Sequence, residues 1–335
     1  MANSSKITSL AVLRGVAVLA VCFCHFGKPV SHGSVLPGLF KWFGDHGQYG
    51  VQIFFVISGF VIPYSLYKAK YTIVDYFKFL YKRLLRLHPP YLVALALTLL
   101  VAAASYRSRH ITNPETAISI FKSLFYMHTP ADNPVFWTLQ VEAEYYIFIG
   151  LFFVLLTKFP KLSIIIGVPV LLLLSQTPLI NYIGFFNFIV YFLIGTIGYL
   201  IYIKEENPLL EYFALAILIA FSFVFYELAA SIVATLTILI ILYFRKPVSP
   251  ILEFPGEISY SLYLLHFPLG TKIINLLQKH ISPSLDWALF IFATLVCFGA
   301  AWLFWQFIEK PSARLSSGVK YGNAKTKFEN FSLKS

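Results

Sequence analysis

The sequence predicts an all-α polytopic membrane protein with about ten transmembrane helices and both termini in the cytoplasm. Of its 335 residues, 58% are hydrophobic and 12% are charged, whereas soluble domains usually carry about 25% charged residues. The mean hydropathy is +0.74. Ten apolar segments each approach the ~20 residues that a helix needs to cross ~30 Å of hydrocarbon.

The apolar segments follow one another through most of the chain, separated by short polar or proline-containing connections. The fifth to eighth consist mainly of Leu, Ile, Phe and Val, and the seventh and eighth nearly fuse around Glu227. In order, the ten segments are 7–26, 48–67, 88–105, 138–157, 162–180, 185–203, 209–225, 227–244, 257–278 and 285–308. Residues 316–335 are polar and are predicted to form a disordered cytoplasmic tail.

The positions of Lys and Arg set the predicted orientation. With the N-terminus in the cytoplasm, 18 of the 26 basic residues fall on the cytoplasmic side, 6 fall in outer loops, and Arg14 and Lys272 lie within spans. This distribution follows the positive-inside rule. It accounts for the net charge of +11 without a nucleic-acid partner.

The cysteines give no sign of a metal site or a disulfide framework. Cys22, Cys24 and Cys297 all lie in apolar runs, and their spacing matches neither pattern. We therefore expect no bound metal.

Two ionisable residues, Arg14 and His25, lie eleven residues apart in the first apolar segment. At ~100° per residue they project from one helical face, about 16 Å apart along the axis. Ionisable residues in membrane helices usually face the protein interior or a water-filled cavity. Two alternatives stay open: Arg14 could snorkel to the inner head groups, and His25 could lie at the outer interface.

Two further stretches carry polar residues at a membrane helix. Ser58 and Gly59 interrupt "GVQIFFVISGFVI", and such a small pair lets a neighbouring helix or a ligand approach the backbone. In "YKRLLRLHPPYL", Arg83 and Arg86 lie three residues apart on one helical face. Guanidinium groups at this spacing suit the phosphates of a ligand, although contact with anionic lipid is the alternative.

The fourth segment opens with "FWTLQVEAEYYI" and places Glu142 one turn inside the helix. Trp137 precedes it, and Tyr146 follows at i+4. A buried carboxylate needs a partner, which Arg14 or His25 could supply across helices. Alternatively, Glu142 is an interfacial residue that the helix dipole favours near the helix start.

The last two segments add a second intramembrane histidine and a terminal acidic residue. In "GEISYSLYLLHFPL", Tyr260, Tyr263 and His266 are spaced at i, i+3 and i+6. His266 could be a structural hydrogen-bonding residue or part of a site. The final segment ends in "FIEKPSARL", where Glu309 and Lys310 mark the helix exit.

From about residue 7 to residue 315, the chain resembles the acyltransferase-3 family of integral-membrane acyltransferases. Six elements occur in the family's order: the Arg-x10-His pattern of Arg14 and His25, "GVQIFFVISGFVI", the Arg-x-x-Arg of Arg83 and Arg86, "WTLQVEAEYY", "SYSLYLLHFP" and the terminal Glu-x-Pro. Each element alone is weak evidence for the family, whereas the six together, in this order, are specific to it. Two positions depart from the pattern, since Gln52 stands where an acidic residue is common and Thr138 replaces a usual serine.

The resemblance implies a stand-alone transmembrane acyltransferase-3 domain over residues 1–315. Such an enzyme transfers an acyl group, commonly acetyl, from acyl-CoA to a hydroxyl of a cell-surface carbohydrate or its lipid-linked precursor. It would reside in a bacterial cytoplasmic (inner) membrane and take acyl-CoA from the cytoplasm as a donor substrate, with no permanently bound cofactor. A glycan or glycolipid acceptor would bind at the outer face, and the oligomeric state stays open.

The resemblance also suggests roles for the polar residues. His25 and Glu142 are the catalytic candidates, and Arg14, Arg83 and Arg86 are the candidates for binding CoA. His25 would act as a general base on the acceptor hydroxyl or accept the acyl group transiently, while Glu142 would orient His25 or balance Arg14. Candidates for lining the cavity are Ser58, Trp137, Tyr146, Tyr260 and His266.

The alternative is a multi-span transporter or flippase of an anionic solute or a glycan lipid. Intramembrane Arg, Glu and His also occur along solute pathways. Against this alternative, the sequence shows no evident inverted repeat and no evident pair of discontinuous helices.

Overall fold

The computed structural model describes residues 8–31, 35–204, 207–244 and 246–321. Over these ranges the chain is helical and contains no strand, so the predicted all-α class is confirmed. The principal helices are α1 (Thr8–Val30), α2 (Pro37–His46), α3 (Gly50–Lys68), α4 (Tyr76–Ser108), α5 (Ala117–Leu124), α6 (Trp137–Lys158), α7 (Pro160–Leu174), α8 (Ile189–Ile203), α9 (Leu209–Phe225), α10 (Leu228–Tyr243), α11 (Pro250–Glu257), α12 (Ser259–His266), α13 (Lys272–Leu277), α14 (Asp286–Phe304) and α15 (Lys310–Gly318).

Helix length and hydropathy identify a membrane protein. Within the described ranges, five helical stretches are long and apolar enough to cross a membrane: Thr8–Val30, Pro37–Lys68, Ile73–Ser108, Pro134–Lys158 and Pro283–Gly318. Helices α7 to α10 are apolar but shorter. The predicted ninth segment is covered by the end of α11 and by α12 and α13, which a π-helical turn, Phe267–Thr271, joins. The count of ten transmembrane helices and the cytoplasmic termini therefore stay predictions.

Helices α3 and α8 cross at two glycines. A Cβ atom at Gly59 would lie 2.2 Å from the carbonyl oxygen of Phe192, and one at Gly195 would lie 2.2 Å from that of Val56. Neither position has room for a side chain, so the small residues allow direct backbone contact. Gly59 therefore serves helix packing.

Helices α1 and α11 also meet at a glycine. A Cβ atom at Gly256 would lie 1.8 Å from the carbonyl oxygen of Ala11. This contact holds the N-terminal half of α1 against α11 and so fixes the position of Arg14, one turn further along α1.

Helix α4 begins at Tyr76, well before the predicted start near residue 88, and continues through Pro89 and Pro90. Proline usually breaks a helix, because it lacks an N–H and its ring crowds the carbonyl four residues earlier. In α4 this pair of prolines does not end the helix. Arg83 and Arg86 consequently lie inside a continuous helix instead of in a connection before it.

A serine from the end of the chain compensates for the two prolines. Pro89 and Pro90 leave the carbonyls of Leu85 and Arg86 without helical N–H donors. The hydroxyl of Ser312, on α15, lies 2.5 Å from the oxygen of Leu85 and 3.1 Å from that of Arg86, and it donates to both. A proline within a membrane helix requires this kind of substitute donor.

The chain continues as helix beyond the predicted domain boundary. Helix α14 passes through a π-helical turn, Trp305–Glu309, into α15. The polar tail is predicted from residue 316, but α15 ends at Gly318, and the carbonyl of Val319 accepts a hydrogen bond from Lys82 at 3.0 Å. The rest of the predicted tail, residues 322–335, lies outside the described residues.

The buried apolar side chains form two clusters. One is built mainly from α3, α6 and α8, and the other mainly from α1, α12 and α14. Two cavities, each lined by apolar and polar side chains, draw lining residues from both clusters. The candidate site residues lie in and around these cavities.

Candidate active site

Arg14 and His25 project from α1 into two different cavities. Arg14, near the N-terminal end of the helix, lines a cavity of about 640 Å³. His25, near the C-terminal end, lines a second cavity of about 410 Å³. The single helical face predicted for this pair therefore serves two compartments.

Three arginines line the first cavity, and two of them have free guanidinium groups. The Nη2 of Arg83 donates to Ser65 Oγ at 3.0 Å, and its guanidinium lies 5.6 Å from the ring centroid of Tyr146. Arg14 and Arg86 form no side-chain hydrogen bond or ion pair with any other residue that the structure describes. Their N–H groups are available to a ligand in the cavity.

Carboxylates line the same cavity and partly balance its charge. They belong to Glu142, Glu257 and Glu309. The hydroxyl of Tyr146 donates to Glu142, and that of Ser261 donates to Glu309 at 2.5 Å. The charges of Glu142 and Glu309 both act on Arg14. Because four basic and three acidic side chains line the cavity, it carries a net positive charge when all are ionised.

The second cavity contains His25, which faces another histidine. The ring centroids of His25 and His266 are 5.4 Å apart. The Nδ1 of His266 lies 2.7 Å from the carbonyl oxygen of Tyr263, and a carbonyl only accepts, so Nδ1 carries the proton. The buried Nε2 of His266 has no partner among the described residues. Its lone pair is therefore free on a ring adjacent to His25.

Aromatic and amide side chains form the rest of the second cavity. Trp137 and Tyr226 contribute aromatic rings, and Gln52 contributes an amide whose Oε1 is buried and unpaired within the described structure. Tyr49 donates a hydrogen bond to Glu227 at 2.7 Å. Such a lining can contact apolar ring faces and accept hydrogen bonds from hydroxyl groups.

The structure separates the residues proposed from the sequence into two groups. Arg14, Arg83, Arg86 and Glu142 line the first cavity together with Ser58, Tyr146 and Tyr260. His25 and Trp137 line the second cavity, and His266 lies beside His25. Of the two partners considered for Glu142, the structure brings it to Arg14 and leaves His25 in the other compartment.

Several lining residues are absent from the sequence-based candidates. Val51 and Tyr263 line both cavities. Nothing in the sequence marks Val51 as different from its apolar neighbours, and the spacing of Tyr263 with Tyr260 and His266 does not show that it lies between two cavities. Glu309 and Glu227 carry a usable signal, since each is an acidic residue at the edge of an apolar segment. Their position at a segment end is also typical of an ordinary helix boundary.

The described residues contain no group of three or more His, Cys, Asp and Glu side chains that could hold a metal ion. Cys22, Cys24 and Cys297 are buried as free thiols.

A model of the acyltransferase-3 family, described as an acyltransferase domain, matches residues 7–306. No curated protein and no solved structure matches the chain significantly. The matched range contains α1, the paired arginines of α4, Glu142 and His266.

Proposed function

Since the chain belongs to the acyltransferase-3 family and is therefore a membrane acyltransferase, we propose that it transfers an acyl group, most often acetyl, from acyl-CoA to a carbohydrate hydroxyl. The acceptor is a cell-surface glycan or its lipid-linked precursor. One observation carries this proposal: α1 presents a free guanidinium to a basic cavity and an imidazole to an adjoining aromatic cavity.

The first cavity suits the donor. CoA carries phosphate charges, and Arg14 and Arg86 offer guanidinium groups that hydrogen-bond to no described side chain and can bind phosphate in the forked geometry. A volume of about 640 Å³ is within the range of known small-molecule sites. In the predicted orientation, Arg83 and Arg86 lie toward the cytoplasm, where acyl-CoA is made. Glu142 would balance Arg14 on this donor side.

The second cavity suits the acceptor. The faces of Trp137 and Tyr226 can pack against a sugar ring, while Gln52 and Glu227 can bind its hydroxyls. In the predicted orientation this cavity lies toward the outer face. We accordingly place the protein in a bacterial cytoplasmic membrane, with the donor on one side and the glycan on the other.

His25 would carry out the proton transfer. As the acceptor oxygen attacks the thioester carbonyl, His25 takes the hydroxyl proton, the C–S bond breaks and a C–O ester bond forms. His25 then returns the proton to the CoA thiolate, which leaves as the thiol. In the covalent alternative, the neutral imidazole attacks the thioester carbonyl, a C–N bond forms, and the C–S bond breaks to release CoA thiolate. The acceptor oxygen then attacks the acyl carbon, a C–O bond forms as the C–N bond breaks, and the hydroxyl proton passes to the thiolate.

Release of CoA thiol from acetyl-CoA by isolated membranes, with a glycan acceptor present, tests the proposal. We expect acceptor-dependent thiol release and an acetyl mass increment on the glycan. His25→Ala should lower this rate by about 10²-fold to 10⁴-fold, whereas His280→Ala, at an exposed histidine, should retain it. Full activity in His25→Ala would overturn the catalytic assignment.

The same assay distinguishes an acyltransferase from a transporter or flippase. A transporter would bind or move its solute without releasing CoA thiol. Absence of thiol release with every acyl-CoA and glycan tested, from membranes that contain folded protein, would count against the proposed reaction.

A further inference from the structure

Val51 and Tyr263 are the lining residues that the two cavities share. Among the described residues, every other lining side chain belongs to one cavity only. Val51 lies on α3 and Tyr263 on α12, so the two residues approach from different helices. The boundary between the cavities is therefore formed where these side chains lie.

We propose that Val51 and Tyr263 form a size filter for the acyl group. This inference rests on the proposed acyl transfer. The filter admits a short acyl group, such as acetyl, to His25 and excludes longer chains.

The side chain of Tyr263 is held in place from several directions. Its hydroxyl lies 3.0 Å from the carbonyl oxygen of Val135 and 2.8 Å from Thr138 Oγ1. Its ring and that of Phe54 form a T-shaped pair, with the ring centroids 5.9 Å apart. Rotation of this buried side chain would break both hydrogen bonds and leave polar groups unpaired. The tyrosine therefore forms a fixed wall.

The opposite side of the boundary is also stiff. Val51 is β-branched and lies in the first turn of a helix, where its side chain strongly prefers one rotamer. Neither side chain can move readily to make room for a larger acyl group. The boundary is consequently selective by size.

The phosphates of the donor and the sugar of the acceptor bind in different cavities, so the acyl group is the part of the substrates that lies at this boundary. The phosphates of CoA are retained by the arginines of the first cavity, and the sugar is retained by the aromatic residues of the second. Only the thioester carbonyl and its acyl chain have to lie between Arg14 and His25. The width at Val51 and Tyr263 therefore limits acyl length.

The experiment measures kcat/KM for acetyl-, propionyl- and butyryl-CoA with purified protein in lipid nanodiscs. Val51→Ala removes two methyl groups from the boundary, and we expect the butyryl-to-acetyl ratio to rise by about tenfold or more, because one methylene in an apolar pocket is worth 10–200-fold. Val51→Leu adds bulk and should lower the propionyl-to-acetyl ratio. Thermal unfolding and size-exclusion profiles establish that each variant is folded.

Val56→Ala is the matched control. It removes the same atoms from the same helix at a buried position that lines neither cavity, so the ratios should stay at the wild-type value. If the wild-type protein releases acetyl-derived CoA thiol but both Val51 variants keep its acyl-chain ratios, the filter is overturned and the acyltransferase proposal stands. If the wild-type protein turns over no acyl-CoA, the proposed function fails and the filter fails with it.

Discussion

The imidazole of His266 lies 5.4 Å from that of His25. Because its Nδ1 is committed to the carbonyl of Tyr263, the free Nε2 can only accept a hydrogen bond. His266 therefore presents an acceptor beside the candidate base. A water molecule or a small rotation of His25 could complete a hydrogen bond between the two rings.

We expect His266→Phe to lower kcat by about tenfold, the size of one lost hydrogen bond. The KM for acetyl-CoA should stay unchanged, because the arginines of the donor cavity are distant from this substitution. Steady-state kinetics on both substrates measures the two parameters separately. The exposed His280→Phe is the control, and a wild-type kcat in folded His266→Phe would show that His266 only packs.

Substitution of Arg86 should weaken donor binding. Arg86 lines the first cavity and hydrogen-bonds to no described side chain. Its charge acts on Glu309, which keeps its hydrogen bond from Ser261 when Arg86 is removed. Loss of a charged hydrogen bond of about 1.5–3 kcal/mol corresponds to a roughly 10-fold to 100-fold higher KM for acetyl-CoA. The double variant with Arg83→Ala and Arg86→Ala should have a still higher KM for acetyl-CoA.

Calorimetric titration with CoA provides the direct measurement for these arginines. Arg109→Ala removes an equal charge from an exposed position that lines neither cavity, and it should bind CoA as the wild type does. Equal CoA affinity in the Arg83, Arg86 double variant and in Arg109→Ala would contradict phosphate binding by this pair.

Ser312→Ala should destabilise the protein through the prolines of α4. The substitution leaves the carbonyls of Leu85 and Arg86 without a donor, at a cost of about 1–3 kcal/mol in the free energy of unfolding. Thermal unfolding in detergent measures the loss. Ser317→Ala, at an exposed serine in the same helix, should leave the unfolding midpoint unchanged.

A double-mutant cycle identifies the cause of the Ser312 effect. Replacing Pro89 and Pro90 by Ala restores the helical N–H donors, so the loss caused by Ser312→Ala should shrink in that background. Equal destabilisation in both backgrounds would mean that the serine acts by another route.

The prolines also show which part of the fold can be predicted from sequence. The apolar segments and their order follow from hydropathy alone, because each segment is continuous. The start of α4 cannot be predicted from hydropathy, because the donor that keeps the helix intact is Ser312, more than two hundred residues later in the chain. A local pattern contains no information about such a compensating contact.

For the candidate site too, the sequence predicts one part, and only the structure shows the rest. Helical spacing predicts that Arg14 and His25 share one face, and the chemistry of their side chains identifies them as unusual in an apolar run. Their assignment to separate cavities depends on Val51 and Tyr263, which are apolar or aromatic residues among many others. Only the folded arrangement, in which the ring of Tyr263 contacts Phe54 on α3, distinguishes them.

Glu115 organises the connection between α4 and α6 and should make it sensitive to acid. Its carboxylate accepts hydrogen bonds from Ser119 Oγ at 2.7 Å, from His128 Nε2 at 3.0 Å and from the N–H of Ala131 at 3.0 Å. Burial alone would raise the pKa of Glu115, but these hydrogen bonds outweigh it, so the pKa lies below its ordinary value.

A lowered pKa means that the ionised carboxylate stabilises the folded connection. This stabilisation is complete above the pKa of an unfolded glutamate and is lost as the pH falls through the folded value. We therefore expect amide-exchange protection in residues 115–133 to fall between about pH 5 and pH 3. Exchange rates corrected for the intrinsic effect of pH, read by mass spectrometry in lipid nanodiscs, measure it.

Glu115→Gln separates the role of this carboxylate from a general effect of acid. The variant should have low protection in residues 115–133 at neutral pH and little further change on acidification, because the ionised acceptor is already absent. Asp45→Asn, at an exposed acidic residue, should reproduce the wild-type profile. If Glu115→Gln retained the wild-type loss of protection between about pH 5 and pH 3, a different group would have to be responsible, since the amide cannot titrate.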